Sequence, residues 1–284
     1  MDYRQQYDQV VQANIALHQR LAADYNTGEP HFRPENVANV QRKLRAVADA
    51  AGHGRMLDLG CGTGFMINIG RSIFQYIHGV DVSEAMMGQV DRSGPAHIEL
   101  TLADSGSVPL EEGTYDVVTS YSFLHHLYDC MPSLKTAARA LKPGGRLYGD
   151  LEPNYDFWAA VAQLDRHGAY DPIVKREIEM VTYKDEDIQR QFGVSTDVFN
   201  QAEYGKSVLG GFRGDDLRSK LADVGFTQVD VFYEWFIGQG QMINDASIAR
   251  EQRFANAQLV HDQLQRLLPL SRSLFKYIGF VAVK

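Results

Sequence analysis

Residues 55–64, which read RMLDLGCGTG, carry the strongest structural signal in this chain. The first five, from Arg55 to Leu59, form a short and mostly apolar run, which predicts a buried β-strand. Glycines then follow at alternate positions, as Gly60, Gly62 and Gly64. Glycine lets the backbone turn tightly, and it lets a ligand approach main-chain atoms because no Cβ stands in the way. The stretch therefore predicts a strand that runs directly into a ligand-binding turn.

Predicted strands and helices alternate through most of the chain. Further strands are predicted over 76–82, 98–102, 115–120, 146–151, 228–236 and 274–283. Helices are predicted over 65–73, from 83, and over 132–141, 215–224 and 245–268. This alternation predicts a parallel, doubly wound sheet, and the strand–helix–strand ending is compatible with an antiparallel edge. The predicted fold class is α/β, with a mostly parallel seven-stranded sheet.

Two segments outside the alternation are predicted to be helical. Apolar residues at helical spacing predict one helix within 1–26 and a second from Pro34. Residues 152–211 interrupt the alternation, with helices predicted at about 155–167 and 171–191. We therefore divide the chain into a helical N-terminal cap, 1–50, a core formed by 51–151 and 212–284, and an inserted lid, 152–211.

The composition is that of an ordinary globular protein, with 44% hydrophobic and 23% charged residues. The formal net charge of −8 argues against a broad nucleic-acid-binding surface, so we expect no nucleic-acid partner. No apolar run approaches the roughly 20 residues that span a bilayer, and the polar N-terminus lacks a signal-peptide core, so no membrane partner is expected. The two cysteines, Cys61 and Cys130, cannot form a disulfide framework, which favours a cytoplasmic location.

Asp81 lies near the end of the second predicted strand, at the same end of the sheet as the expected glycine turn. A carboxylate at that place can accept hydrogen bonds from both hydroxyls of a ribose, which predicts a nucleoside cofactor. The dinucleotide fingerprint G-x-G-x-x-G requires its third glycine where this chain has Phe65, whereas Gly64 comes one residue early. A nicotinamide dehydrogenase is accordingly the least favoured alternative.

The glycine turn and Asp81 resemble the first motifs of class I, Rossmann-like, S-adenosylmethionine-dependent methyltransferases. The resemblance continues in chain order through LADS at 102–105 with VPL at 108–110, YDVV at 115–118 with LHH at 124–126, and LKPGGRL at 141–147. Several motifs in order, at consistent places on strands and loops, are far more specific than one glycine turn. The match covers roughly 55–151 and, more loosely, 212–284.

The resemblance implies S-adenosylmethionine as cofactor and S-adenosylhomocysteine as product. It implies that Asp58 orients the amino group of the cofactor, that Asp81 holds the ribose and that Asp104 accepts a hydrogen bond from adenine. In enzymes of this type N-terminal helices often cover the cofactor, and Tyr25 would then reach its carboxylate. The other positions implied to line the cofactor are Gly60, Cys61, Gly62, Gly64, Val82, Ser105, Ser120 and Tyr121.

A sulfonium methyl group is already electrophilic, so the protein must mainly align the nucleophile and exclude water. A base helps where the acceptor is a hydroxyl or an acidic carbon. The candidate catalytic residues are His126, His125 and Glu152, with His126 preferred because its loop opens toward the cofactor. The alternatives are structural loop histidines and, for Glu152, a solvated loop acid. The two histidines are adjacent and expected to point in different directions, so no metal site is predicted.

The predicted function is methyl transfer to O, N or C of a small molecule, because the cap and lid favour a closed pocket. Aromatic residues of the lid either line that pocket or pack the insertion onto the sheet; they are Tyr155, Phe157, Trp158, Tyr170 and Tyr183. The alternatives are an RNA or protein methyltransferase and a catalytically silent cofactor-binding partner protein. A homodimer stays open, since the predicted helix 245–268 could pack on a second copy.

Overall fold

The computed structural model describes residues 2–181 and 185–284, which form one seven-stranded sheet with helices on both faces. The strands are β1 Arg55–Leu59, β2 Tyr76–Asp81, β3 His97–Leu102, β4 Tyr115–Tyr121, β5 Leu141–Pro153, β6 Gln228–Phe236 and β7 Phe275–Val283. The predicted fold class is confirmed. No helix in the described ranges is both long and apolar enough to cross a membrane.

The helices of the N-terminal part and of the first half of the sheet are α1 Tyr3–Leu21, α2 Tyr25–Gly28, α3 Pro34–Ala51, α4 Phe65–Gly70, α5 Glu84–Met87 and α6 Met131–Ala140. Those that follow β5 are α7 Tyr155–Ala162, α8 Pro172–Met180, α9 Asp185–Phe192, α10 Thr196–Ala202, α11 Tyr204–Ser207, α12 Gly214–Asp223, α13 Gln239–Asn244 and α14 Arg250–Arg266. Short 3₁₀ turns lie at Pro30–Phe32, Leu124–His126 and Arg272–Leu274.

The strand order is β3-β2-β1-β4-β5-β7-β6, and β1 to β5 run parallel. β7 is antiparallel to both of its neighbours, so the edge strand β6 runs parallel to the first five. An antiparallel strand is present, but the expectation that it forms the edge is wrong, because β7 lies between β5 and β6. The reason is apolar burial: Phe275, Ile278 and Phe280 of β7 are fully buried, which favours an inner place, whereas β6 is half exposed.

Helix lengths and one strand boundary differ from the predictions. The predicted helix at 155–167 ends at Ala162, and the one at 171–191 is divided into α8 and α9. Tyr183 lies outside the described residues. The strand predicted from Arg146 begins at Leu141 instead, and 142–145 form a bulge within β5, because Tyr115 pairs with Leu141 and Val117 already pairs with Arg146.

Alternate residues of the inner strands face two hydrophobic cores. Met56 of β1 packs with α3 and α4 on one face, whereas Leu57 packs with α6 and α12 on the other. A third, smaller cluster joins the N-terminus to the insertion, because Ala13 and Leu17 of α1 pack against Ala202 of α10. Segments from both sides of the core thus meet above the sheet. The division into cap, core and lid stays a prediction.

Candidate functional site

A cavity lies at the carboxyl ends of β1, β2 and β4, covered by one face of α1. This is where ligands bind in open, mostly parallel sheets. The predicted residues that line it are Tyr25, Asp58, Gly60, Cys61, Gly62, Asp81, Val82, Asp104, Ser105, Tyr121 and His126. Four predicted residues lie outside its lining, namely Gly64, Ser120, His125 and Glu152.

The glycine turn folds as its sequence requires. Gly60 has a φ of 72° and Gly62 a φ of 51°, in the left-handed region that side chains disfavour. A Cβ on Gly60 would come within 2.0 Å of the Phe123 ring. The N–H groups of Gly60 and Cys61 donate to the carbonyl of Val80 at 2.9 and 3.0 Å, which ties the turn to β2.

Asp81 faces the cavity from the end of β2. Its Oδ2 accepts a hydrogen bond from the N–H of Gly62, and its Oδ1 accepts one from the N–H of Ser83, both at 2.8 Å. Burial raises the pKa of this carboxyl, and the two N–H groups oppose that rise. The carboxylate is therefore held at the cavity wall in one orientation.

Asp104 follows β3 and contacts the N-terminal helix. Its Oδ1 accepts from the N–H of Gly106 at 2.7 Å, and its Oδ2 accepts from the Tyr7 hydroxyl at 2.5 Å. Tyr7 was absent from the predicted site. The apolar spacing of α1 was visible in the sequence, but which of its faces would cover the sheet was not.

Asp58 is almost completely buried at the end of β1, where it lines the cavity. Burial raises its pKa to about 7. The Thr119 hydroxyl donates a hydrogen bond of 2.7 Å to the carboxyl, and this bond opposes the rise. The carboxyl therefore holds its proton more tightly in the folded protein than in the unfolded chain, where the ordinary value is 3.8.

We expect Asp58→Asn to make the ligand-free protein more stable at pH 8. The folded wild type loses stability as pH rises from about 4 to 7, because the folded state must then give up a proton that it binds tightly. Asparagine avoids that loss and can still accept the Thr119 hydrogen bond. The gain in free energy of unfolding should be on the order of a few kcal/mol at pH 8 and vanish near pH 4. Urea denaturation at both pH values measures it, and an equal gain at pH 4 would contradict the cause.

Aromatic rings enclose the end of the cavity next to β4. The Tyr121 ring lies 4.6 Å from that of Phe65, the His31 ring lies 5.0 Å from Phe65, and Tyr25 lies 5.8 Å from His31. Asn36 donates to the Tyr121 hydroxyl at 3.0 Å and fixes that ring. Ring faces of this kind attract a positively charged group.

Glu152 and His125 support the loop that follows β4. Oε1 of Glu152 accepts from the N–H groups of Phe123 and Leu124 at 2.9 and 2.8 Å. Oε2 accepts from the N–H of His125 at 3.0 Å and lies 2.8 Å from Nδ1 of the same residue. The prediction that Glu152 is catalytic or contacts the substrate is wrong, because its carboxylate is fully buried and accepts these hydrogen bonds. His125 is likewise turned away from the cavity lining.

The same loop begins with a strained residue. Ser122 has a φ of 51°, unusual for a residue with a side chain, and its N–H donates to the carbonyl of Asp150 at 2.8 Å. Ser122 lines the cavity. The hydrogen bonds to Glu152 thus hold a strained loop in place at the site.

His126 is the candidate base that the structure brings to the cavity. Its Nδ1 lies 2.7 Å from the carbonyl oxygen of Ala202, and its ring packs edge to face against His18 at 4.9 Å. The rings of His125 and His126 are 4.1 Å apart, so the expectation that adjacency separates them is wrong. Nitrogen atoms of both and a carboxylate oxygen of Glu203 lie within 4.8 Å of one another. The absence of a bound metal stays a prediction.

Comparison with known proteins agrees with this geometry. Residues 57–149 match a family model described as a methyltransferase domain. The 27-O-demethylrifamycin SV methyltransferase of Amycolatopsis mediterranei is 33% identical over 119 residues, which are 40% of this chain and 44% of that protein. The 18S rRNA (guanine-N(7))-methyltransferase bud23 of Schizosaccharomyces pombe is 34% identical over 103 residues, which are 36% of this chain and 38% of that protein. The chain thus spans less than half the length of these two relatives.

A solved S-adenosylmethionine dependent methyltransferase from Mesorhizobium loti shares the fold, with a TM-score of 0.52 and 21% identity. The likeness covers 91% of this chain and 99% of that chain. The segment matched by the family model contains Asp58, Asp81 and Asp104. Residues 57–149 of this chain are therefore similar to a methyltransferase domain, and the chain has the fold of a solved S-adenosylmethionine dependent methyltransferase.

Proposed function

We propose that this chain transfers the methyl group of S-adenosylmethionine to a small-molecule acceptor and releases S-adenosylhomocysteine. The observation that carries the proposal is the order of three carboxylates along one covered cavity. Asp58, Asp81 and Asp104 stand at the ends of the adjacent strands β1, β2 and β3. In that order they would hold the amino group, the ribose and the adenine of one extended cofactor.

The aromatic end of the cavity supports the same placement. When bound, the cofactor supplies an electrophilic methyl group on a positively charged sulfur. The rings of Tyr25, Phe65 and Tyr121 would face that charge from the cavity wall. Residues of this chain would thus position the sulfonium and exclude water, while His126 is the candidate for accepting a proton.

A small acceptor is favoured by the cover above the cavity. Val10, Val11 and Asn14 of α1 line it, and Tyr7 holds α1 to Asp104. Through Ala13 and Leu17, α1 also packs on α10 of the insertion. An RNA or protein acceptor would have to displace this cover, and the net charge of −8 gives RNA little attraction. The two buried, free cysteines support a reducing, cytoplasmic location.

Calorimetry and a methyl-transfer assay test the proposal. We expect one-to-one binding of both S-adenosylmethionine and S-adenosylhomocysteine, and no binding of NAD, which serves as the control. Radiolabelled methyl should appear on small acceptors and not on total RNA. Binding without any transfer would favour the silent cofactor-binding protein, and failure to bind either cofactor form would contradict the proposal.

A further inference from the structure

Glu203 is a largely buried acid of the insertion that stands beside the candidate base. It follows α10 directly, and 15% of its side-chain surface is exposed. Oε1 lies 3.6 Å from Nδ1 of His126, and Oε2 lies 3.9 Å from both Nε2 of His125 and Nζ of Lys206. Burial raises the pKa of Glu203, but the neighbouring histidines and lysine lower it to about 2, so the group is an anion.

The hydrogen bond of His126 determines which ring nitrogen carries a proton. Nδ1 lies 2.7 Å from the carbonyl oxygen of Ala202, and a carbonyl can only accept. The proton therefore belongs on Nδ1, and Nε2 keeps its lone pair. The ring lines the cavity, and Asn14 of α1 donates to the carbonyl of His126 at 2.8 Å, which fixes its backbone.

From this geometry we propose that Glu203 is a positioning residue for His126 and that the methyl acceptor is a hydroxyl group. The proposal rests on the proposed function and names the acceptor class for the same site. A neutral hydroxyl is a weak nucleophile and must lose its proton as it attacks, whereas an amine attacks with a free electron pair. A neutral histidine in the cavity wall, backed by an anion, meets the need of a hydroxyl.

The step balances in atoms and charge. The hydroxyl oxygen forms a bond to the methyl carbon while its proton moves to Nε2 of His126. The bond between sulfur and the methyl carbon breaks, and its electron pair stays on sulfur. The positive charge of the sulfonium is thereby replaced by that of the imidazolium, which Glu203 stabilises at 3.6 Å. Solvent later removes the proton, and the products are a methyl ether and S-adenosylhomocysteine.

The groups around His126 set its protonation. Burial and the neighbouring His125 lower the pKa of His126 to about 3, while Glu203 opposes them. The ring is therefore neutral at pH 7, and the anion of Glu203 is the group that favours its protonated form. The other titratable or charged groups that interact with this cluster come from several elements. They are His18 of α1, Tyr25 of α2, Glu29, Glu152, Lys206 of α11 and Tyr277 of β7.

Nitrogen NMR of ¹⁵N-histidine-labelled protein with bound S-adenosylhomocysteine tests the protonation state without any acceptor. We expect His126 to be neutral between pH 6 and pH 8, with its proton on Nδ1. A proton on Nε2 would leave that nitrogen without a lone pair to accept the proton of the hydroxyl, and it would overturn the proposal.

Two pairs of probes of similar shape test the acceptor class, namely phenol with aniline and benzyl alcohol with benzylamine. We expect methyl transfer to the hydroxyl probes. Transfer to the amines alone, or to none of the four probes, would overturn the inference about the acceptor class. Binding of the cofactor in the same experiment would still support the proposed function. Failure of the cofactor to bind would instead reject the proposed function itself.

Glu203→Gln tests the role of the acid. We expect kcat for the hydroxyl probes to fall about 10- to 100-fold, with KM for S-adenosylmethionine unchanged. The acid limb of the pH–rate profile should move to lower pH, because without the anion the imidazolium forms less readily. Glu203→Asp should retain part of the rate, and the exposed Glu186→Gln should change nothing. An unmoved acid limb in Glu203→Gln would show a merely structural acid and overturn its role.

Discussion

Asp81→Asn is expected to weaken the binding of S-adenosylmethionine about 100-fold. Two ribose hydroxyls that donate to a carboxylate contribute about 1.5–3 kcal/mol each, and an amide offers them one oxygen in place of two. The amide nitrogen of asparagine would in addition face the N–H of Gly62 or Ser83, both of which now donate to Asp81. The ribose contact and the glycine turn are thus disturbed together. Calorimetric titration of both cofactor forms measures the loss.

Asp91→Asn is the matched control for that measurement. Asp91 is an exposed carboxylate of the following loop, bound by Ser93 and Arg71 and away from the cavity lining. Its removal should leave the affinity within about twofold, since exposed ion pairs contribute little. Equal affinities for wild type and Asp81→Asn would remove the central support for a ribose at the end of β2.

Glu152→Gln is expected to lower the free energy of unfolding by about 3–5 kcal/mol, the effect of breaking a buried charged network. The fully buried carboxylate accepts from three consecutive N–H groups and contacts the His125 ring. Glutamine has one accepting oxygen, so its NH₂ group would oppose at least one of these donors. Because the same contacts hold the strained Ser122, the loop should also lose order.

Urea denaturation measures the free energy of unfolding of this variant. Glu251→Gln on the exposed side of α14 is the control and should change the free energy of unfolding by less than about 0.5 kcal/mol. If Glu152→Gln were as stable as the control, the carboxylate would not be the anchor of the loop. We expect cofactor affinity to weaken in Glu152→Gln only through the displacement of the loop. In Asp81→Asn, by contrast, the proposed contact with the ribose is itself changed.

The elements predicted best are those whose signal is local in the sequence. β1 occupies the predicted residues, and β2 ends one residue early at Asp81. The three carboxylates could be placed because each follows the end of a strand, and parallel strands bring those ends together. The glycine turn was predictable since its backbone needs residues without a Cβ.

What the sequence did not reveal depends on contacts between distant segments. Tyr7 reaches Asp104 and Glu203 reaches His126 only because α1 and the end of α10 pack together above the sheet. Periodicity predicts that a helix has an apolar face, but not which neighbour covers it. Glu152 was misjudged for the same reason, because an acid that follows a strand is solvated or buried according to the loop that folds over it.

The cover of the cavity comes from parts of the chain outside residues 57–149, the segment that the family model matches. The groups proposed to grip the cofactor lie within that segment, whereas α1 and Glu203 lie before and after it. Substitutions in α1 and in the insertion could therefore accumulate without changing the residues proposed to bind the cofactor. Changes in the segments before and after residues 57–149 could therefore alter the methyl acceptor, while the groups proposed to bind the cofactor stay the same.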